Sequence, residues 1–230
     1  TLFWDFGTSP VLTKKYIVMA LMRNGDSWLV AFDKRTGKVA WKVERNYQTP
    51  IEGDHSYATP IVTTQNEREA ILVWGAERFT AHDAANGDIL WTCSGFNPQA
   101  KKFWVAVSSF VLVDDMAVVP YGRGARLAGI KLNGKGDVTN TRRKWTLEGK
   151  GTFVPSPAAH NGKAYLVRDR GEVLCLNPED GKVEWAGAFP KDRASYYSSP
   201  TIADGKIYAA REDGTLFVAN IKGGFKLLTE

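Results

Sequence analysis

Cysteine, histidine and methionine are scarce in this chain of 230 residues, at two, three and three copies. Cys93 and Cys175 stand far apart, each inside an apolar run, which favours small buried hydrophobes over a disulfide or metal ligands. His55, His82 and His160 are isolated, and no His/Cys spacing suits a metal. No apolar run reaches the ~18 residues a transmembrane helix needs. Charge of neither sign clusters: 30 Lys and Arg against 25 Asp and Glu give a formal net charge of +5. The basic residues are dispersed, without the stripe that a nucleic-acid reader requires. Neither an initiator Met nor a signal peptide opens the chain, which starts Thr1-Leu2-Phe3-Trp4 and reads as a piece of a longer protein or as one whose leader has been removed. The loop signatures of phosphate binding and of a nucleophile elbow are missing. Gly134-Lys135-Gly136-Asp137 has the look of a phosphate cradle but reads as a β-hairpin insertion with no helix behind it. Asp169, Glu212 and Asp213 read as solvated turn tips.

Apolar and aromatic residues, at 43% and 12%, are plentiful enough for a sizeable core. They recur in register. Ala31-Phe32-Asp33-Lys34-Arg35-Thr36-Gly37-Lys38-Val39-Ala40-Trp41 returns as Ala81-His82-Asp83-Ala84-Ala85-Asn86-Gly87-Asp88-Ile89-Leu90-Trp91, and again as Cys175-Leu176-Asn177-Pro178-Glu179-Asp180-Gly181-Lys182-Val183-Glu184-Trp185. A stretched copy runs from Ala128 through Gly134 to Trp145, and a fifth keeps Gly214, Asn220 and Gly224 but has Leu228 in place of the Trp. A Ser/Thr-Pro pair opens most units, as at Ser9-Pro10, Thr59-Pro60, Ser156-Pro157 and Ser199-Pro200; the middle unit has Ser108-Ser109 instead. Two apolar runs, the Asp/Asn…Gly turn and the Trp run make four short strands per unit. At this period that pattern predicts an all-β chain of four-stranded antiparallel propeller blades. Five blades are expected, at about 8–44, 57–94, 104–146, 152–187 and 196–228, in a single domain over 1–230. Asp33 and Asp83 should hydrogen-bond the backbone two residues on. Gly37, Gly87 and Gly181 should supply positive φ. Trp41, Trp91, Trp145 and Trp185 should wedge between neighbouring blades. None of these residues is read as catalytic.

On this motif the sequence resembles the pyrroloquinoline-quinone-like propeller repeat, over essentially the whole chain. The resemblance is nearest to large exported bacterial propellers, and the family also holds quinoprotein alcohol dehydrogenases and a propeller lipoprotein of outer-membrane assembly. It implies a seven- or eight-bladed propeller of which five blades lie in this chain, and it implies export to the periplasm or cell envelope. An incomplete propeller would expose blade faces and promote self-association. The dehydrogenases carry pyrroloquinoline quinone against a Trp floor, a vicinal disulfide, Ca²⁺ and an Asp base. Cys93 and Cys175 are not adjacent, and no residue matches the base or the calcium ligands by motif.

In a meander blade, labelled A to D along the chain, the D–A loops and B–C turns share one face. The D–A loops are rich in aromatics: Trp4 and Phe6, His55 and Tyr57, Phe103 and Trp104, Phe153, Tyr196 and Tyr197. The B–C turns offer Arg23, Arg78, Arg123, Arg168 with Arg170, and Arg211. Rings and guanidinium groups together suit a small-molecule, carbohydrate or protein ligand; the same residues also suit packing between blade tops. The expected ligand set is His55, Tyr57, Trp104, Phe153, Tyr196, Tyr197, Arg123, Arg168 and Arg211. The leading expectation is therefore a non-catalytic binding or scaffolding module with no cofactor, no metal and no nucleic-acid partner. The alternatives are a quinone- and calcium-dependent dehydrogenase and an outer-membrane assembly scaffold.

Overall fold

Short runs of β-branched and aromatic residues cannot hide an apolar face alone, so they pair with their neighbours in sequence. In the computed structural model, which describes residues 7–229, each repeat is a meander whose strands pair in chain order. Blade 1 is β1 (Val11–Leu12), β2 (Tyr16–Leu21), β3 (Trp28–Asp33) and β4 (Val39–Glu44). Blade 2 is β5 (Ile61–Gln65), β6 (Arg68–Gly75), β7 (Arg78–Asp83) and β8 (Ile89–Cys93). Blade 3 begins with β9 (Val111–Val113), β10 (Met116–Tyr121) and β11 (Arg126–Lys131). An insertion then carries β12 (Gly136–Asp137) and one helical turn, α1 (Thr139–Arg142), before β13 (Arg143–Glu148) completes the blade. Blade 4 is β14 (Ala158–His160), β15 (Lys163–Val167), β16 (Glu172–Leu176) and β17 (Val183–Ala188). Blade 5 is β18 (Thr201–Ala203), β19 (Lys206–Ala210), β20 (Leu216–Asn220) and β21 (Lys226–Thr229). Among the described residues no helix is long and apolar enough to cross a membrane.

The chain divides into two compact units: one runs to Val107 and takes in Leu132–Arg143, and the other holds Ser108–Lys131 and the residues from Lys144 onward. In the first unit, Val18, Ala20, Leu29 and Ala31 of blade 1 pack on Ile71 and Val73 of blade 2. In the second, Val113, Val118 and Leu127 meet Leu166, Leu174 and Leu176, while Val173 and Cys175 share a cluster with Ile207, Phe217 and Ala219. Each unit therefore builds its core by stacking one sheet on the next.

The repeated turn does the work its residue types imply. Asp33 Oδ1 accepts from the backbone N–H of Arg35 and Thr36 at 3.1 and 2.9 Å. Asp83 Oδ1 does the same for Ala85 at 2.8 Å, and Asn177 and Asn220 repeat the bond at 3.0 and 2.7 Å. Gly87 has φ +82°, and a Cβ built there would lie 2.8 Å from Trp41 Cε3, so the position is closed to other residues twice over. Trp41 Nε1 donates to the Ala84 carbonyl at 3.2 Å. Trp145 repeats the arrangement on Gly181, with Nε1 to the Pro178 carbonyl at 2.7 Å.

Trp91 meets the enlarged turn of the next repeat instead. The insertion is not a hairpin: β12 pairs in parallel with β8, Gly136 opposite Trp91 and Asp137 opposite Thr92. Asp137 Oδ1 accepts from Thr139 N at 2.9 Å and turns the chain into α1, whose four residues are too few for an anion-binding terminus. Gln65 ties this corner together, its Oε1 accepting from Trp91 Nε1 at 3.2 Å and from Asn133 N at 2.7 Å. Trp91 is 1% exposed and sits 5.5 Å edge-on to Phe79. Trp91→Ala is expected to cost about 3–5 kcal/mol in urea or thermal unfolding, and Trp41→Ala, at a half-buried site, about 2 kcal/mol; equal costs would show that the insertion adds nothing to the Trp91 site.

Candidate functional site

The loop face takes shape separately in each unit. In the second, Arg123 lies over the Phe153 ring at 4.3 Å. Arg211 lies over Phe217 at 5.0 Å and pairs with Asp213 at 2.7 Å, and hydrogen bonding to that guanidinium takes the Asp213 carboxyl down to about 2. Arg168 Nε donates to the Gly151 carbonyl at 2.8 Å. Tyr197 is 46% exposed. Tyr196 is not available to a ligand: it is fully buried, stacked on Phe189 at 5.8 Å, with its hydroxyl donating to the Pro190 carbonyl at 2.7 Å. Asp169 and Glu212 are not idle turn tips. Asp169 accepts from the N–H groups of Phe153 and Val154 at 2.9 and 3.0 Å, and Glu212 from that of Ser195 at 2.8 Å, so each fastens a D–A loop.

In the first unit His55 is buried, and desolvation lowers its pKa. Tyr57 is half-buried, its backbone N–H donating to the Ala106 carbonyl at 2.9 Å. Trp104 donates from Nε1 to the Phe96 carbonyl at 2.9 Å. Trp4 and Phe6 lie outside the described residues. Cys93 and Cys175 are free and buried, and burial raises both thiols, which leaves them as inert core residues.

Composition of the loops does not show what lies at the loop end of blade 2. A cavity of about 270 Å³ opens there, lined by Tyr47, Thr49, Glu77, Arg78, Ser94 and Asn97 among others. The β6–β7 turn aims two of these side chains. Ala76 and Glu77 both have positive φ, 50° and 57°, the geometry that suits the twist of a two-residue hairpin. Arg78 lies over the Tyr47 ring at 4.4 Å, and Arg45 faces the same ring at 5.5 Å. Glu77 Oε1 accepts from Asn97 Nδ2 at 2.6 Å, while burial pushes the Glu77 carboxyl above its ordinary range. Tyr47 Oη, Thr49 Oγ1 and Arg78 Nε are shut off from solvent without a hydrogen-bond partner among the described residues.

Below the cavity runs a buried polar chain. Arg45 is 0% exposed; it donates from Nη2 to Thr80 Oγ1 at 2.9 Å and from Nη1 to Met22 Sδ at 3.0 Å. Thr80 Oγ1 lies 3.0 Å from His82 Nε2, and His82 Nδ1 lies 2.8 Å from the Gly87 carbonyl. A carbonyl only accepts, so Nδ1 carries the proton and Nε2 accepts from the Thr80 hydroxyl. One signal for this chain was open in the sequence. His82 and Thr80 flank Ala81, the partner of Trp91, where blade 1 has Phe32 and Val30 and blade 4 has Leu176 and Leu174.

A quinone–calcium site needs a cluster of oxygen donors and, in the resembling dehydrogenases, paired cysteines. Among the described residues no group of three His, Cys, Asp or Glu is placed to hold a metal, and the cysteines sit in separate blades. The described residues do not fit that group.

Consecutive four-stranded meanders with a Trp at the outer strand and an Asp/Asn…Gly turn define a pyrroloquinoline-quinone-like repeat β-propeller protein. The family model described as outer membrane protein assembly factor BamB matches residues 4–140 and 135–227, and the chain belongs to that family. No curated protein matches the chain. Among solved structures it is similar to BamB from Moraxella catarrhalis, at TM-score 0.65 and 16% identity over 98% of this chain and 61% of that one. It is also similar to the quinohemoprotein alcohol dehydrogenase from Comamonas testosteroni, at TM-score 0.70 and 14% identity over 98% of this chain and 42% of that one. A europium-containing methanol dehydrogenase gives 0.71 and 12% over 98% and 52%. The chain thus spans less than two thirds of each, and at these identities the likeness is one of fold.

Desolvation, with Arg45 adding repulsion, takes the His82 pKa from 6.5 down to about 4. The unfolded chain therefore binds a proton that the folded chain refuses between those two values. Stability should be flat in this residue above pH 6.5 and fall as pH drops towards 4, by about 3 kcal/mol at most. Urea unfolding of the parent and of His82→Leu across that window should show the steeper fall in the parent; parallel curves would rule out a neutral buried imidazole.

Proposed function

We propose that the chain works as a non-catalytic binding or scaffolding module of the cell envelope, using the D–A/B–C loop face. The observation that carries this reading is the repeated pairing of a B–C arginine with a D–A aromatic ring, Arg78 with Tyr47 and Arg123 with Phe153. Such pairs offer flat apolar area and a fixed cation at one place, which is what peptide and carbohydrate surfaces engage. The D–A loops that present them are fastened by carboxylates such as Asp169, so little ordering entropy is lost on binding. The C–D turns on the opposite side are short and formulaic in every blade but the third, whose turn is the insertion.

A photo-crosslinking residue placed at Tyr197 or Arg123 should capture partners in intact cells, and one at Lys182, on the C–D side of the same unit, should not. Equal capture from both sides, or none from the loop side, would remove the face from consideration.

A second reading, a scaffold in outer-membrane protein assembly, is favoured by the family model. It differs from the first only in naming the partner class, and the identity of the crosslinked proteins separates the two. The dehydrogenase alternative rests on fold likeness alone. Purified chain titrated with pyrroloquinoline quinone and Ca²⁺ should neither take up the quinone stoichiometrically nor oxidise alcohols with a dye acceptor. Uptake with turnover would replace the binding reading by an enzymatic one.

A further inference from the structure

The cavity at the loop end of blade 2 is lined by one cation, Arg78, and one carboxylate, Glu77. On the donor side, Arg78 Nε, Tyr47 Oη and Thr49 Oγ1 are shut off from solvent and unpaired among the described residues. Other B–C arginines are engaged within the chain: Arg23 with Asp26 at 2.6 Å, Arg168 with the Gly151 carbonyl, Arg211 with Asp213. No ion pair reaches the Arg78 guanidinium among the described residues; the Tyr47 ring holds it in place from one side. Arg45 lies behind the same ring, wholly buried and without a carboxylate bonded to it, and adds positive potential on that side. Leaving polar atoms and a cation dry and unpaired costs free energy that an anionic oxygen group would offset.

On the other side stands Glu77, its carboxylate pinned by Asn97. Asp54, 2% exposed, is within electrostatic reach of both Glu77 and Arg45, and Asp137 within reach of Arg78. Glu77 and Arg78 are the charged side chains that line the cavity, so a single negative charge on the ligand matches the one arginine better than a multiply charged anion does. Glu77 has an oxygen to offer to a donor. A volume of about 270 Å³ holds a molecule of a few heavy atoms, at the ~30 Å³ that a water occupies in the liquid.

We propose that this cavity takes a small monocarboxylate carrying a hydrogen-bond donor on the neighbouring carbon, an α-hydroxy or α-amino acid. The carboxylate lies on the outer nitrogens of the Arg78 guanidinium, and the hydroxyl or ammonium lies on Glu77. The planar guanidinium fork matches a carboxylate with two parallel bonds. The donor requirement sets these acids apart from simple fatty acids of the same size. The proposal rests on the reading of this face as a binding face and names a ligand class for one part of it.

Glycolate and glycine serve as probes, with propionate and inorganic phosphate as controls, read by calorimetry and by the side-chain amide signal of Asn97, which is bonded to Glu77. Saturable binding of both probes is expected, with propionate and phosphate weaker by about tenfold. Arg78→Gln should lose about tenfold or more, and Glu77→Met, which removes the acceptor oxygen, should lose selectivity over propionate. Should Arg78→Gln fail to fold, Arg78→Lys keeps the charge without the fork and should still weaken glycolate several-fold. Absence of saturable binding, equal binding of propionate, or undiminished binding by a folded Arg78 variant overturns the proposal. These titrations contain no protein partner, so a negative result here leaves the crosslinking comparison at Tyr197 and Lys182 standing, and a failure there is read independently.

Discussion

The indole of Trp41 comes so close to the Gly87 turn that even a methyl group there would overlap ring carbons, and Trp145 stands in the same relation to Gly181. In each case the ring's N–H finds a carbonyl of the same turn, Ala84 or Pro178. A flat apolar surface with one donor at its rim meets a turn that offers no side chain and one acceptor. Because the turn glycine also has positive φ, one residue type satisfies both the bend of its own blade and the approach of its neighbour's ring. The contact joins blades 1 and 2 and blades 3 and 4, but Trp185 does not repeat it: a Cβ built at Gly224, in the matching turn of blade 5, would meet nothing within 4 Å, and Phe225 packs on Gly187 instead. Where the turn is expanded, at Trp91, the insertion has had to supply its own lid, with Gly134, Gln65 and the parallel strand β12.

Against that apolar rule the interior where the end of blade 1 meets blade 2 is an exception. Arg45, Thr80 and His82 occupy places that elsewhere hold Phe189, Leu174 and Leu176, and all three are fully buried. An apolar core of the same shape would be at least as stable, since buried charge is costly even when hydrogen-bonded. Blade stability does not explain the exchange. The polar chain ends at the Tyr47 ring, which Arg78 also contacts. It fixes Arg45 there, and with it a buried charge.

How much could be read beforehand follows from the range of the interactions. The blades and turns were legible because period, Asx turns and positive-φ glycines are local properties, and the structure has them at Asp33, Asp83, Asn177 and Gly87. The loop face followed from strand alternation. Which aromatics of that face are available did not. Tyr196 and Tyr197 are adjacent in extended chain, where successive side chains point to opposite sides, so one is buried and the other exposed while the composition of the loop is unchanged. The insertion was misjudged because nothing in Gly134–Asp137 itself announces pairing with β8, about 45 residues away. The pocket was missed because Tyr47, Arg78 and Asn97 come from three separate loops, and Tyr47 and Asn97 were not among the residues singled out in theirs.

The same distinction separates fold from task. The four-stranded blade recurs along the chain, which is why it resembles a propeller named for outer-membrane assembly and dehydrogenases named for alcohol oxidation almost equally well. What differs among such proteins must lie where the repeat is broken. In this chain the breaks fall together in one unit: the insertion that covers Trp91, the polar triad where blade 1 meets blade 2, and the Glu77–Arg78 turn beside Tyr47. The insertion answers to packing, since it covers Trp91, whereas the buried polar chain does not, and its Arg45 end meets the Tyr47 ring that lines the cavity.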